Sequence, residues 1–260
     1  MKPRERQDRI LEMLRAYQTE MAVEEIAALF HVSPLTVRRD LDVLTDEQAI
    51  IRTHGGCLAA GRAALQTEYL KKVAQNFQLK KAIATTAIEF VDKGSVVLMN
   101  DGTTTFHVGL RVGQIGSCTI YTNSLAMIAE YNRFTDTRLY LLPGEYDDQR
   151  YSLVGGLTEQ LLENLSFDFV FLGTESVDEE GRCLVRTPEE ARLASLMLRS
   201  GRKKILVADY TKVLAGGNIA YGRLHDFDHW VTCGRISGER LEAYTSQTDI
   251  RFAPLQRDQD

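Results

Sequence analysis

No run of apolar residues approaches the roughly 20 that a membrane-spanning helix requires, so no membrane partner is expected. The charged start, Met1–Arg9, is followed by no apolar core of a signal peptide, and export is not expected either. Cys57, Cys118, Cys183 and Cys233 lie far apart with no paired spacing. They read as reduced structural thiols of a cytoplasmic protein, not as a disulfide framework. An excess of positive charge is also missing. The net charge is −5, and residues 1–60 hold eight Lys/Arg against ten Asp/Glu. That balance argues weakly against nucleic-acid binding, and any DNA contact needs basic residues focused on one face.

What remains is an ordinary globular composition, 44% hydrophobic and 26% charged. The first part reads as three helices and a hairpin. Ile10, Met13, Leu14 and Tyr17 have the spacing of an amphipathic helix over 4–17. A second helix fits 23–30, with Ile26, Ala27, Leu29 and Phe30 as its apolar side. After His31-Val32, Ser33 suits an N-cap and Pro34 the first position of a third helix that runs to about Gln48. Residues 50–58 read as a hairpin turning near Gly55-Gly56. Residues 61–75 are polar and read as a helical connector. Beyond them, helices at 78–92, 124–132, 157–164 and 188–200 alternate with apolar strands at 95–99, 118–121, 138–142, 167–172, 204–208 and 230–232. Such alternation predicts an α/β domain with a mostly parallel sheet covered on both faces. The polar end after Thr245 is expected to fray. The resulting division is 1–58, a linker at 59–75, 76–245, and a tail at 246–260.

On the third helix, Val37, Leu41 and Leu44 share one face. The opposite, N-terminal half offers Ser33, Leu35, Thr36, Arg38 and Arg39. A recognition helix shows its first turns to the major groove, and arginine bonds guanine bidentately. Lys2, Arg4, Arg6 and Arg9, with Arg52 and His54 on the hairpin, are placed to reach flanking phosphates. Periodicity alone fits a three-helix bundle with solvated arginines equally well.

The run Val32-Ser33-Pro34-Leu35-Thr36-Val37-Arg38-Arg39-Asp40-Leu41, then Leu44 and Arg52-Thr53-His54-Gly55-Gly56, closely resembles the DeoR family of transcriptional repressors. The resemblance implies that residues 1–58 form a winged helix-turn-helix that binds a double-stranded operator.

In the second part, the strand at 95–99 runs into Asn100-Asp101-Gly102-Thr103-Thr104-Thr105 and then a helix. A glycine turn and three hydroxyls at a helix N-terminus suit an anion, a phosphate monoester above all. No Gly-Lys-Ser/Thr follows, so this is not a nucleotide-hydrolysing loop. Thr122-Asn123-Ser124, Pro143-Gly144-Glu145 and Asp209-Tyr210-Thr211-Lys212 follow strand ends, where ligands of parallel sheets bind, and Lys212 offers a second positive contact. A solvated lysine and a simple helix cap explain the last and first of these equally well.

The motif order Gly-Thr-Thr-Thr, Thr-Asn-Ser, Phe171-Leu172-Gly173 and Ala208 to Lys212 again looks like the DeoR family, whose effector domain is similar in fold to ribose-5-phosphate isomerase. The resemblance spans about residues 4–235. It implies release from the operator by a phosphorylated sugar or related intermediate; a homodimer or homotetramer over paired half-sites, no cofactor and no enzymatic activity are expected. Asn100 stands where the family has Asp, Pro143 where it has Gly, and Ser176 where a glycine follows the strand. These departures touch the sugar-facing side more than the phosphate loop.

Two rival readings exist. A sugar-phosphate isomerase or deaminase needs a base beside the sugar carbon, and Glu175, Asp178, Glu189 and Glu190 are available. The isomerase run Asp-Gly-Ala-Asp is absent, however, with Gly173-Thr174-Glu175-Ser176-Val177-Asp178 in its place. A metal sensor would use His225 and His229; Leu224 to Trp230 reads instead as a lead-in to a strand with surface histidines.

Overall fold

The computed structural model describes residues 2–17, 20–47, 49–53, 56–59 and 72–255. The chain divides into two compact units, one of Met1–Phe77 with Asp148–Arg150, the other of Gln78–Asp147 and Tyr151–Asp260.

In the first unit, helix α1 (Pro3–Tyr17) leads to a short strand β1 (Met21–Ala22), then α2 (Val23–Phe30) and α3 (Pro34–Asp46). Strands β2 (Ile50–Arg52) and β3 (Gly56–Ala59) follow as an antiparallel pair. Ile10, Leu14, Ile26, Val37, Leu41 and Leu44 bury their side chains in one core, each worth about 2 kcal/mol. Leu29, expected on the apolar side of α2, instead points to solvent at 56% exposure. The turn into α3 is tight because His31 takes a left-handed conformation, φ 54°, and Val32 N–H bonds back to Ala27 O at 3.1 Å. Strand β1 was not foreseen. It pairs with β3 so closely that a Cβ on Gly56 would lie 2.0 Å from the Met21 carbonyl oxygen, so only glycine fits there.

The second unit opens with α4 (Phe77–Ala87) and β4 (Val96–Met99). Then come α5 (Thr103–Ile115), β5 (Thr119–Thr122), α6 (Ala126–Glu130) and β6 (Arg138–Leu141). A hairpin of β7 (Glu145–Asp147) and β8 (Ser152–Val154) precedes α7 (Gly156–Leu162) and β9 (Phe167–Leu172). The remainder is β10 (Ser176–Val177), β11 (Arg182–Val185), α8 (Pro188–Ser200), β12 (Gly201–Val207), β13 (Ile219–Arg223), β14 (His229–Thr232), α9 (Gly238–Thr245) and β15 (Asp249–Phe252).

Seven strands form one sheet in the order β15-β14-β12-β9-β4-β5-β6, every neighbouring pair parallel. Alternate side chains divide into two cores. Leu98, Val170, Leu172, Leu206 and Trp230 face one way and pack against α8 and Tyr244 of α9. Val97, Met99, Phe171, Ile205 and Val231 face the other way against α4 and α5. Burial on both faces is why these strands read as unbroken apolar runs. A small antiparallel sheet, β10-β11-β13, adds to the unit.

Fraying after Thr245 is overturned by β15, which pairs in register with β14 from His229↔Asp249 to Thr232↔Phe252. Thr248 also donates its hydroxyl to Phe227 O at 2.8 Å, and Asp249 holds His229 Nδ1 at 2.8 Å. One packed apolar residue, Ile250, suffices at a sheet edge where the backbone ladder supplies most of the hold. No helix among the described residues is long and apolar enough to cross a membrane. All four cysteines are free and buried. Burial pushes the Cys57 thiol up to about 12.

Candidate functional site

The exposed face of α3 is set by its cap and its anchor. Ser33 Oγ accepts the Thr36 N–H at 3.2 Å and meets the Thr36 hydroxyl at 2.9 Å, with Pro34 opening the helix. On the inner face, Asp40 is buried and accepts from Arg6 Nε at 2.5 Å, from Arg6 Nη2 at 3.1 Å and from Gln7 Nε2 at 3.1 Å. Arg6 is therefore not a phosphate-reaching residue: it is buried as the counter-ion that fixes α1 against α3. Arg4 and Arg9 lie exposed, paired with Glu47 and Glu5. Leu35 is 58% exposed and Thr36 half-buried, while Arg38 and Arg39 lie open. Arg38 meets only a weak surface partner, Glu24 at 3.8 Å. Arg39 makes no ion pair among the described residues. Arg52 is half-buried on β2 with Nη1 unpaired. His54, with the turn at Gly55, lies outside the described residues.

In the second unit the chain runs β4, β5, β6 toward one edge and then restarts at β9 on the other side of β4. The carboxyl ends of β4 and β9 therefore form the topological switch point, where ligands of open parallel sheets bind. Gly102 is the N-cap of α5, and the first intrahelical bond is Phe106 N to Gly102 O at 2.9 Å. The amides of Thr103, Thr104 and Thr105 precede it and have no intrahelical acceptor. Together with the helix dipole they favour an anion.

Not every residue of the loop is free to bind. Asn100 spans the switch point, accepting Gly173 N–H at 3.1 Å and donating to Gly173 O at 3.4 Å. An aspartate there would set a carboxylate against that carbonyl, which accounts for the carboxamide. The Thr105 hydroxyl is spent on Gly102 O and Asn100 O, both at 2.7 Å. Asp101 and Thr104 are buried, and Thr103 is half-buried. Met99 pairs with Thr122, so Thr122-Asn123-Ser124 lies one strand over.

Lys212 sits in a 3-10 turn capped by Asp209, and its Nζ is 3.6 Å from Glu175 Oε2, two residues past Gly173. Arg186, which the sequence reading missed, meets the same carboxylate at 3.6 Å. Gly144 has a packing reason: a Cβ there would lie 2.4 Å from Val154 O and 2.6 Å from Thr158 Oγ1. The neighbouring Pro143 carbonyl accepts the Thr158 hydroxyl, and Ser176 Oγ accepts Gly216 N–H at 3.3 Å.

Of the four carboxylates considered for an isomerase, Glu189 lies exposed and the other three hold partners within the protein. Asp178 holds Arg182 Nε at 2.6 Å, Glu190 accepts Arg186 N–H at 3.0 Å at the start of α8, and Glu175 holds its two cations. His225 lies in a 3-10 turn before β14 and His229 begins that strand. No group of three metal-ligating side chains occurs among the described residues. A shallow depression of about 320 Å³ lies at Tyr131 to Arg138, toward the amino end of the sheet and away from the switch point.

A winged helix followed by a mostly parallel α/β domain defines the class of DNA-binding transcriptional regulators that carry a second, larger domain. Two family models match this chain: the DeoR-like helix-turn-helix domain over residues 6–62 and the DeoR C-terminal sensor domain over residues 75–233. The chain belongs to the DeoR family of transcriptional regulators. It is 32% identical over 246 residues to the HTH-type transcriptional regulator GlpR of Haloferax volcanii, covering 95% of this chain and 96% of that one. It is 29% identical to the glycerol-3-phosphate regulon repressor of Escherichia coli, covering 82% and 83%. With the lactose phosphotransferase system repressor of Lactococcus lactis it shares 28%, covering 96% and 98%. Among solved structures it is similar to a ribose-5-phosphate isomerase of Methanocaldococcus jannaschii at TM-score 0.37 and 14% identity, covering 54% and 56%, a likeness too slight to bear on function.

Proposed function

We propose that this protein represses a carbohydrate-metabolism operon and is released from its operator by a phosphorylated sugar or related phosphoester. The exposed first turns of α3 read the major groove, with Leu35, Thr36, Arg38 and Arg39 toward the bases and Arg52 and His54 toward the backbone. The phosphate sits on the free amides of Thr103 and Thr104, the hydroxyls of those residues complete its shell, and Lys212 exchanges Glu175 for it. The assembly is a homodimer or homotetramer that presents paired reading heads to paired half-sites. The protein acts in the cytoplasm and has no enzymatic activity.

The observation that carries this reading is the free N-terminus of a 13-residue helix at the switch point, in a chain whose relatives include repressors named for glycerol 3-phosphate and for a phosphotransferase system. An effector that distinguishes the two states by roughly 1–3 kcal/mol changes operator occupancy 5–150-fold. The test selects operators from random duplexes with the full-length protein and then compares variants. Arg39→Ala is expected to cost about 1–3 kcal/mol on the selected operator and to relax one base preference; unchanged selectivity rules out that contact. Purified protein incubated with ribose 5-phosphate or glucosamine 6-phosphate is expected to show no turnover, and catalytic conversion of either would revive the isomerase or deaminase reading.

A further inference from the structure

The anion seat accounts for a phosphate but not for the rest of a ligand. Beside it lies a group of buried polar atoms with no partner. Strand β8 pairs with β7 and also crosses the end of β5, where Leu153 N–H bonds Asn123 O at 2.8 Å and Leu125 N–H bonds Tyr151 O at 3.0 Å. Between these bonds Ser124 and Ser152 face each other as an antiparallel bridge. In such a non-hydrogen-bonded pair the Cα atoms approach to about 4.5 Å and both side chains point to one side.

Ser152 is 0% exposed and Ser124 is 1% exposed, yet neither hydroxyl has a hydrogen-bond partner, not even the other. The adjoining carboxamide of Asn123, also 0% exposed, has neither its oxygen nor its nitrogen paired. Several other buried hydroxyls of this unit, those of Thr105, Thr137, Ser176 and Thr248, find partners, and the one further unpaired hydroxyl among the described residues, Thr232 on β14, stands alone on a different strand. Buried polar groups are normally satisfied, and a contiguous unsatisfied set calls for an occupant.

Position and chemistry identify that occupant. Thr122 pairs with Met99, so Asn123 follows on one strand and Asn100 on the next, about 4.8 Å apart and just before the α5 N-terminus. The set carries no charge, and every member both donates and accepts. That suits the hydroxyls of a sugar or polyol, not a second anion.

We propose that Ser152 and Ser124 form a hydroxyl-reading subsite, with Asn123 beside them, so that the β7–β8 hairpin senses the carbon chain of the phosphoester whose phosphate sits on α5. This rests on the phosphate reading above and adds Ser152 as a specificity-determining residue. The hairpin is firmly based for this task, because Gly144 packs against Val154 and Thr158 bonds Pro143. Ligand hydroxyls draw β8 and the end of β5 onto one molecule.

The test uses thermal stabilisation and calorimetric titration of the full-length protein with inorganic phosphate, glycerol 3-phosphate, ribose 5-phosphate and 2-deoxyribose 5-phosphate. Wild type is expected to bind at least one hydroxylated ester more tightly than inorganic phosphate. Ser152→Ala is expected to lose about tenfold in affinity for that ester, keep its affinity for inorganic phosphate, and melt no lower than wild type without ligand. Ser124→Ala is expected to show the same selective loss. Equal ester binding by both variants, with phosphate binding intact, overturns the subsite and leaves the anion seat standing. A lower melting temperature in both variants, with unchanged ratios of ester to phosphate affinity, also overturns it, since that marks structural hydroxyls. Wild type that binds neither phosphate nor any ester overturns both readings.

Discussion

The two units settle their buried polar groups in opposite ways. In the N-terminal unit the charged pair Arg6–Asp40 is closed with Gln7, and the Ser33 cap is made within the chain. The surface proposed to read DNA is what is left outside: exposed Leu35, Arg38 and Arg39 on a helix whose cap and anchor are made within the chain. In the C-terminal unit the sheet is packed on both faces, yet Asn123, Ser124 and Ser152, and separately Thr232, have buried side-chain atoms without partners toward its carboxyl end. On the proposed reading, a DNA duplex is met from outside by a finished surface, whereas a small molecule pairs with groups that the fold itself leaves unpaired. Arg52, with one buried unpaired nitrogen, is the single member of the N-terminal unit in that second condition among the described residues.

The largest expected effect tests whether the first unit is self-sufficient. Asp40→Ala leaves the Arg6 guanidinium without its counter-ion and is expected to cost about 3 kcal/mol, the low end for a buried pair because Arg6 lies just beneath the surface. Denaturant unfolding of the full-length protein measures it, and a loss below about 1 kcal/mol breaks that side of the comparison.

Next in size is a pH effect confined to the second unit. Burial, with Lys80, Arg111 and Lys81 nearby, lowers the His107 imidazole from 6.5 to about 3. The unfolded chain then takes up a proton below pH 6.5 that the folded chain refuses, so stability falls as pH falls. Between pH 7 and pH 5 the loss is about 2 kcal/mol from this residue, and His107→Leu is expected to flatten it. An unchanged slope in the variant contradicts that assignment.

Gly144→Ala sharpens the comparison by separating packing from binding. Its added Cβ collides with Val154, and a stability loss of about 1–2 kcal/mol is expected in ligand-free protein. A variant that is as stable as wild type but blind to phosphoesters would return Gly144 to the binding residues. The smallest effect is Ser33→Ala, which removes the α3 cap and is expected to cost about 1 kcal/mol in an unfolding titration.

Much of this was legible in the residues. Apolar spacing located α1, α2 and α3, and Ser33-Pro34 marked the start of α3 because a cap is a local device. The parallel strands announced themselves by apolar runs that only two-sided burial explains. What stayed hidden depended on residues distant in sequence. The pairing of Arg6 with Asp40 crosses 34 positions, and an arginine on a helix looks solvated until its partner is placed. Strand β15 carries a single packed apolar side chain and gains its order from the β14 ladder, which no local pattern reports. Asn100 and Thr105 stood in the anion loop by sequence, but their side chains brace the protein itself. Ser152 gave no signal, since only its bridge to Ser124 shows that its hydroxyl is buried and unpaired.

The central claim is that a phosphoester on the α5 N-terminus changes how firmly α3 holds DNA. Fluorescence anisotropy of a labelled, selected operator with the full-length protein tests it directly, titrated with and without sugar phosphates and their unphosphorylated counterparts. The account predicts at least a fivefold weakening by one phosphorylated compound, none by its parent sugar, and none for Thr104→Ala, whose DNA affinity is otherwise retained. Identical operator affinity with every phosphoester, or an equal response from Thr104→Ala, would contradict it.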